Sequence, residues 1–376
     1  GGPVLAAAIN TGVRFFFLPT PTPQVVVASL QFRGTVRFSF ITQARPVKRQ
    51  KQPNNRHGGA EEKERKEGGG EAEEEQCWGN FGRGAVWALL EAGHKVEQGV
   101  VGVMCGQPGM DSAGVSSSAA TGVAFLLALA DANNLSLSPA ELIELDRLIE
   151  NGFLGLRNGV LDQSAIVLSK SGHLTRIWCQ DRRHDFIPLP AGTPSDPNEQ
   201  APLPTVAFIL AFSGMQAALA SSSGYNNRVQ ECQEAARMLL VAAGLDVPSA
   251  PVLSQVPLHV LEAHKDHLPE ALRRRTTHFF SESARVLQGA EALQQGDWQL
   301  FGRLMSESGQ SSIDLYEFSG AGFRGCCVAL VEREKVADVA RHVAEEYSRR
   351  QPELAAACQK DSMVVVCDIS DGARIV

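Results

Sequence analysis

Nowhere in the 376 residues is there a Gly-x-x-x-x-Gly-Lys-Ser/Thr string. That absence removes the P-loop NTPases, whose loop must carry a lysine to the β- and γ-phosphates. His-Arg-Asp and Asp-Phe-Gly are missing too, which removes the protein kinases. The eight cysteines (Cys77, Cys105, Cys179, Cys232, Cys326, Cys327, Cys358, Cys367) form no Cys-x-x-Cys pair and no His-rich metal spacing, so no zinc framework is present. Most lie in apolar surroundings, which suits a reducing, cytosol-like compartment. The longest apolar stretch, around Ala119 to Ala130, is interrupted by Thr121 and Gly122 and is too short to span a bilayer. A basic excess is also lacking. The formal net charge is −7, which gives neither nucleic acid nor an anionic membrane an electrostatic hold. There is no internal repeat, and no signal peptide is visible in a chain that opens on Gly1.

What is present is the composition of an ordinary globular protein, 44% hydrophobic and 20% charged, with length enough for two cores. Residues 3–41 read as a β-meander: Val4 to Ile9, Gly12 to Leu18, Gln24 to Leu30 and Thr35 to Ile41 are rich in Val, Phe and Ile, with Pro and Gly between them. Residues 46–76 mix charges of both signs with Gly68-Gly69-Gly70 and almost nothing apolar, the pattern of a disordered charged insertion. A helix through Ala85, Val86, Leu89 and Leu90 then leads to a strand, Gln98 to Cys105. Ser138-Pro139-Ala140-Glu141 opens another helix as a capping box with proline at the first helical position; that helix runs to about Asn151. Pro188, Pro190, Pro194, Pro197, Pro202 and Pro204 mark 186–204 as a linker. Beyond it the pattern predicts a strand (Val206 to Phe212) and helices over Arg228–Ala243, Val256–His267, Glu270–Gln295 and Trp298–Glu307. A strand (Cys327 to Val331), a helix (Val336 to Ser348) and a closing strand pair (Met363–Cys367, Ala373–Val376) finish the chain. Cys326-Cys327 reads as core.

The chemistry concentrates in residues 106–120. Gly106, Gly109 and Gly114 lead into Ser116-Ser117-Ser118 and an apolar helical run from Ala119. Helix N-termini carry unpaired N–H groups and a positive dipole end, and glycines allow close backbone approach. Such a turn seats a phosphate; the residues alone leave open a serine-rich cap on a buried helix. Gly320-Ala321-Gly322-Phe323-Arg324-Gly325 matches GxGxxG literally. It leads into a strand instead of opening a helix, so the dinucleotide reading is weak.

Taken together, the loop at 106–118, Glu150, Asp162 and the second glycine loop resemble the GHMP small-molecule kinases, in their galactokinase branch. Within it the strings Gly109 to Ser118, Ile149 to Gly159 and Gly322 to Cys327 look most like the plant galacturonokinase group. The resemblance implies an α+β fold of two domains. The N-terminal one, over 1–185, would be related to the second domain of ribosomal protein S5; the C-terminal one, over 205–376, would be ferredoxin-like. It implies ATP and Mg²⁺, and transfer to the anomeric hydroxyl of D-galacturonate in the cytosol, with galactose or arabinose kinases and a non-catalytic sugar- and ATP-binding relative as alternatives. By the same resemblance Gly109, Gly114, Ser116, Ser117, Ser118 and Ala119 hold the phosphates, and Trp78 and Asn80 lie near the adenine. Ser118 and Glu150 ligate the metal, and Asp162 is the base. Tyr225, Gly320 and Gly322 meet the sugar, while Arg157 and Arg324 are both open as partners of the uronate carboxylate. Without the family, Glu150 reads as the end of an exposed helix and Asp162 as a helix cap. Relatives also carry an N-terminal segment with an arginine and a Gly-His, and roughly two dozen residues between Glu317 and Phe318. The expectation is that the polypeptide as written turns over poorly, while its full-length parent phosphorylates sugar.

Overall fold

The computed structural model describes residues 1–30, 34–40, 71–106, 114–190, 204–215, 223–317, 325–358 and 363–376, without the side chains of 71–77 and 223–225. In chain order the elements are β1 (Pro3–Ala6), β2 (Ala8–Ile9), β3 (Arg14–Thr20), β4 (Gln24–Ser29), β5 (Thr35–Ser39), α1 (Glu71–Glu91), β6 (Gly99–Cys105), α2 (Ser117–Ala132), α3 (Pro139–Leu148) and a π-helix (Ile149–Phe153). There follow α4 (Leu161–Leu168), β7 (His173–Trp178), β8 (His184–Pro188), β9 (Val206–Phe212), α5 (Ser223–Ala242), α6 (Leu258–His264), α7 (Glu270–Gln295) and α8 (Trp298–Tyr316). The chain ends with β10 (Cys326–Glu332), α9 (Val336–Arg350), α10 (Pro352–Ala357), β11 (Val364–Cys367) and β12 (Ile369–Ser370). Two compact units result. One comprises Gly1–Thr11, Pro108–Val115 and Gly159–Gly372; the other comprises Gly12–Gln107, Ser116–Asn158 and Ala373–Val376. They interleave along the chain, whereas the division drawn from the sequence is contiguous.

The smaller unit is a four-stranded sheet, order β3-β6-β4-β5, with helices on one face. Val25, Val27, Val36, Phe38, Val100 and Met104 point to the helices and are buried. Phe15 meets fully buried Phe125 of α2 edge-on, ring centroids 5.3 Å apart. The strands of 3–41 form where the pattern puts them, but not as a meander. β6 lies between β3 and β4, parallel to β4 and antiparallel to β3, and β1 and β2 join other sheets. Pro19, Pro21 and Pro23 surround the β3–β4 connection. Prolines supply no ladder N–H and no tight hairpin forms there, so the sheet admits another strand.

In the larger unit β9 is central to the sheet β10-β9-β11, while β1-β7-β8 and β12-β2 form separate small sheets. The unbroken apolar run of β9 is the pattern of a strand buried on both faces. A helical cluster built on Ala235, Leu239, Leu253, Val260 and Leu272 supplies a second core.

Several expected boundaries move. Helix α1 starts at Glu71, inside the stretch read as a disordered insertion; residues 41–70 lie outside the described residues. Residues 186–188, assigned to the linker, belong to β8. Beyond the strand, Thr205 N donates to Pro190 O at 3.1 Å, and 191–203 are not described. Ala373–Val376 is not a strand; β12 pairs with β2 instead. The helix from Ser138 does not stay α-helical to Asn151. It widens into the π-helix at Ile149, where Leu154 N donates to Ile149 O at 2.9 Å. Gly152 permits this next to a large ring, since a Cβ there would lie 2.7 Å from Trp87 Cη2.

The capping box forms as read. Ser138 Oγ accepts from Glu141 N at 3.3 Å and Glu141 Oε2 accepts from Ser138 N at 3.4 Å. Ser138→Ala removes one of these and is expected to cost about 1 kcal/mol in a urea titration; an unchanged midpoint would show that the cap is idle.

Candidate active site

The approach to α2 is left-handed at two places, Gly114 (φ 83°) and Ser116 (φ 60°, ψ 28°). Left-handed backbone is uncommon in a non-glycine residue and marks a constrained turn. Ser116 occupies the N-cap position, yet its side chain makes no capping hydrogen bond, and the first turn carries no acidic residue. A 16-residue helix thus begins without a side-chain cap or an anionic neighbour in its own first turn, the condition that favours an external anion. Ala119 is in the core and has only backbone to offer a ligand. Gly109 falls in 107–113, outside the described residues.

Ser118 and Glu150 belong to one unit, and the packing brings them to the same level. Helices α2 and α3 are joined by a short connection and run as a hairpin, so moving back along one is moving forward along the other. They touch where Gly122 faces Asp146 and Ile149; a Cβ on Gly122 would run into Asp146 Oδ1 and lie 3.5 Å from Ile149 Cδ1. One turn back from Gly122 is Ser118, and one turn forward from Asp146 is Glu150. Glu150 is wholly buried, 0% exposed, so the exposed-helix-end reading fails. Its Oε2 accepts from Asn158 Nδ2, and Asn151 Nδ2 in turn donates to Asn158 O at 3.0 Å.

Asp162 lies in the first turn of α4, in the other unit. It is not the cap: that position is Val160. Trp78 is buried, 4% exposed, on α1; Asn80 is half-buried on the same helix. Tyr225 sits at the start of α5 with its side chain undescribed, and Gly320, Gly322 and Arg324 lie outside the described residues. Arg157 is exposed. Neither Cys326 nor Cys327 forms a disulfide, and Cys327 is exposed instead of core. Burial, more than the neighbouring thiols, pushes the Cys326 pKa up to about 12, so it is no thiolate at neutral pH.

Three arginines gathered at the C-terminal end of α8 escape sequence reasoning. Arg275 is 1% exposed and donates to Glu231 Oε2 (2.7 Å), Glu317 Oε2 (3.0 Å) and Leu315 O. Arg228 reaches Tyr316 O (3.2 Å) and Glu317 (2.8 Å), and Arg274 reaches Glu317 (2.9 Å) and Asp314 O. Together they satisfy the last carbonyls of α8 and complement its negative end. Hydrogen bonding and charge from Arg275 hold the Glu317 carboxyl below its usual pKa. Glu317 is itself left-handed (φ 58°) and directly precedes Phe318. Sequence spacing carries no sign of a partner some 40 residues away.

Residues 83–170 match the family described as GHMP kinases N terminal domain. The chain belongs to the GHMP kinases. A galacturonokinase of Arabidopsis thaliana is 42% identical over 100% of this chain and 89% of that protein. The alignment is 399 positions long against 376 residues here, so that relative carries residues inside it which this chain lacks. A galactokinase of Roseiflexus sp. (strain RS-1) is 35% identical over 79% of this chain and 75% of its own length. The solved galactokinase of Lactococcus lactis, complexed with galactose, superposes with a TM-score of 0.77 at 22% identity, over 99% of this chain and 89% of that one. A mevalonate kinase of L. major, at 15% identity, gives 0.55 over 100% and 91%. The fold is therefore the α+β fold of these kinases. The chain is a phosphotransferase with an alcohol group as acceptor and ATP as donor. Among the described residues no helix is long and apolar enough to cross a membrane.

Proposed function

We propose that the chain is a sugar-1-kinase that transfers the γ-phosphoryl group of ATP to the anomeric hydroxyl of D-galacturonate. The observation that carries the substrate is the 42% identity to a galacturonokinase along the whole chain, against 35% over a shorter span for a galactokinase. Phosphoryl transfer asks mainly for positioning and charge neutralisation. The turn from Gly114 to Ser118, with Gly109, presents backbone N–H groups to the β- and γ-phosphates, and the uncapped start of α2 adds its dipole. Asp162 accepts the proton of the anomeric hydroxyl as its oxygen attacks phosphorus. We assign Trp78 and Asn80 to the adenine, and Tyr225, Gly320 and Gly322 to the sugar, on the family resemblance. Arg157 or Arg324 meets its carboxylate as a charge-assisted donor.

Ser118 and Glu150 would hold Mg²⁺. The fit rests on their chemistry: hydroxyl and carboxylate are hard oxygen donors, the type Mg²⁺ prefers. The cation neutralises phosphate charge. Free thiols at Cys105, Cys179, Cys232 and Cys358 suit a reducing, cytosol-like compartment.

The test is ADP release in the presence of galacturonate, galactose and arabinose, compared by kcat/KM. Galacturonate is expected to lead; equal values for the three sugars overturn the substrate. The absolute rate tests the slow turnover anticipated from the sequence. Calorimetry that finds sugar and ATP bound, with no turnover even after the N-terminal segment expected from the resemblance is supplied, favours the non-catalytic relative.

A further inference from the structure

We propose that Asn158 is a positioning residue for the divalent cation, orienting Glu150 through its amide N–H and offering its amide oxygen to the cation's water shell. The inference rests on the reading of Glu150 as a metal ligand and deepens it. Glu150 is fully buried, and a buried carboxylate needs a fixed partner to keep one orientation. Asn158 Nδ2 supplies that partner at Oε2. The other end of the same amide, Oδ1, is buried and has no hydrogen-bond partner among the described residues. A buried amide oxygen left so is unfavourable, a penalty removed when a hydrated cation's water donates to it.

The backbone is built to keep this side chain in place. Asn151 Nδ2 holds Asn158 O at 3.0 Å, and Leu156 N donates to Glu150 O at 2.9 Å. Gly155 is left-handed (φ 71°), which folds 150–158 back on itself. The π-helix at Ile149–Phe153 carries Glu150 within this turn, and π-helical turns concentrate at functional sites. Residues one step behind a metal ligand orient it, and their loss typically lowers metal affinity about 10- to 100-fold.

The experiment measures Mn²⁺ binding to the ATP-loaded protein by electron paramagnetic resonance, with ATP binding without metal followed by calorimetry. Asn158→Leu is expected to raise the Mn²⁺ Kd at least about tenfold while metal-free ATP binding stays at the parent value. Excess Mg²⁺ is expected to restore part of the lost turnover. An unchanged Mn²⁺ Kd in folded Asn158→Leu overturns the proposal. Glu150→Gln in the same assay separates the two claims: if it leaves the Mn²⁺ Kd unchanged, the reading of Glu150 itself fails, and the inference with it. Asn158→Asp keeps the shape if the leucine variant does not fold. It places two carboxylates together, so Mg²⁺ must raise its melting temperature more than the parent's; an equal rise also overturns the proposal.

Discussion

Asp162→Asn is expected to lower kcat by about 10²- to 10⁴-fold, the usual worth of a positioned general base, with ATP affinity close to the parent's. Asparagine keeps the shape and can still hydrogen-bond the sugar hydroxyl, but it cannot take the proton. The loss therefore falls on the chemical step and not on ground-state binding. Stability does not confound the result. Asp162 is half-buried in the first turn of α4, where a negative charge gains about 0.3–1 kcal/mol from the helix dipole. A domain that stands about 5–15 kcal/mol above unfolding survives that loss. Melting curves of the two proteins should nearly superpose while their rates separate by orders of magnitude. A variant that keeps more than about a tenth of parental kcat removes Asp162 from the role of base.

The single-helix features were legible in the sequence because their causes are local. Helix α7 spans Glu270–Gln295 as its period indicated, and it stops at left-handed Gly296 with Asp297 capping the next helix. The capping box at Ser138 and the apolar run behind Ser116–Ser118 are likewise short-range patterns. The sequence pattern ends helix α8 at Glu307, whereas the structure carries it to Tyr316. Its serines find partners without breaking it: Ser306 and Ser312 donate to carbonyls one turn back in the same helix, and Ser308 meets Glu282. The arginine cluster then closes the far end. Strand order was not legible, since nothing near β3 or β4 in the chain announces that β6 will lie between them.

At the candidate site the same division holds. The turn chemistry of 114–118 was visible in the residues themselves, whereas Glu150 and Asp162 stood out only through the family resemblance. That Glu150 is buried and held by Asn158, and that Asp146 touches Gly122, depends on how α3 and the π-helix meet α2. Gly122 did carry a signal: a glycine inside an otherwise apolar helix gives up about 1 kcal/mol of propensity, which asks for a packing reason.

That packing reason predicts the outcome of filling the position. Alanine at 122 would gain about 1 kcal/mol of helix propensity, yet its Cβ would overlap Asp146 Oδ1 and lie 3.2 Å from Asp146 Cγ. Asp146 is fully buried and cannot swing out to water. Forcing atoms into a packed contact costs about 1–3 kcal/mol, and displacing a buried carboxylate from its surroundings adds to it. The steric term wins. Gly122→Ala is expected to be destabilising despite propensity, and Gly122→Val, whose β-branching removes most of the helix gain, to lose about 3 kcal/mol or more. At about 2–4 °C per kcal/mol for a unit of this size, the valine variant should melt about 6–12 °C lower. Pushing α2 away from α3 also separates Ser118 from Glu150, so Mn²⁺ affinity with ATP should fall more than ATP affinity alone. Pairing Gly122→Ala with Asp146→Ala relieves the overlap, and the cycle should show a favourable coupling of about 0.5–3 kcal/mol. If Gly122→Ala alone raises the melting temperature, the two helices do not approach as closely as Gly122 allows, and the packing argument that sets Ser118 and Glu150 at one level falls with it.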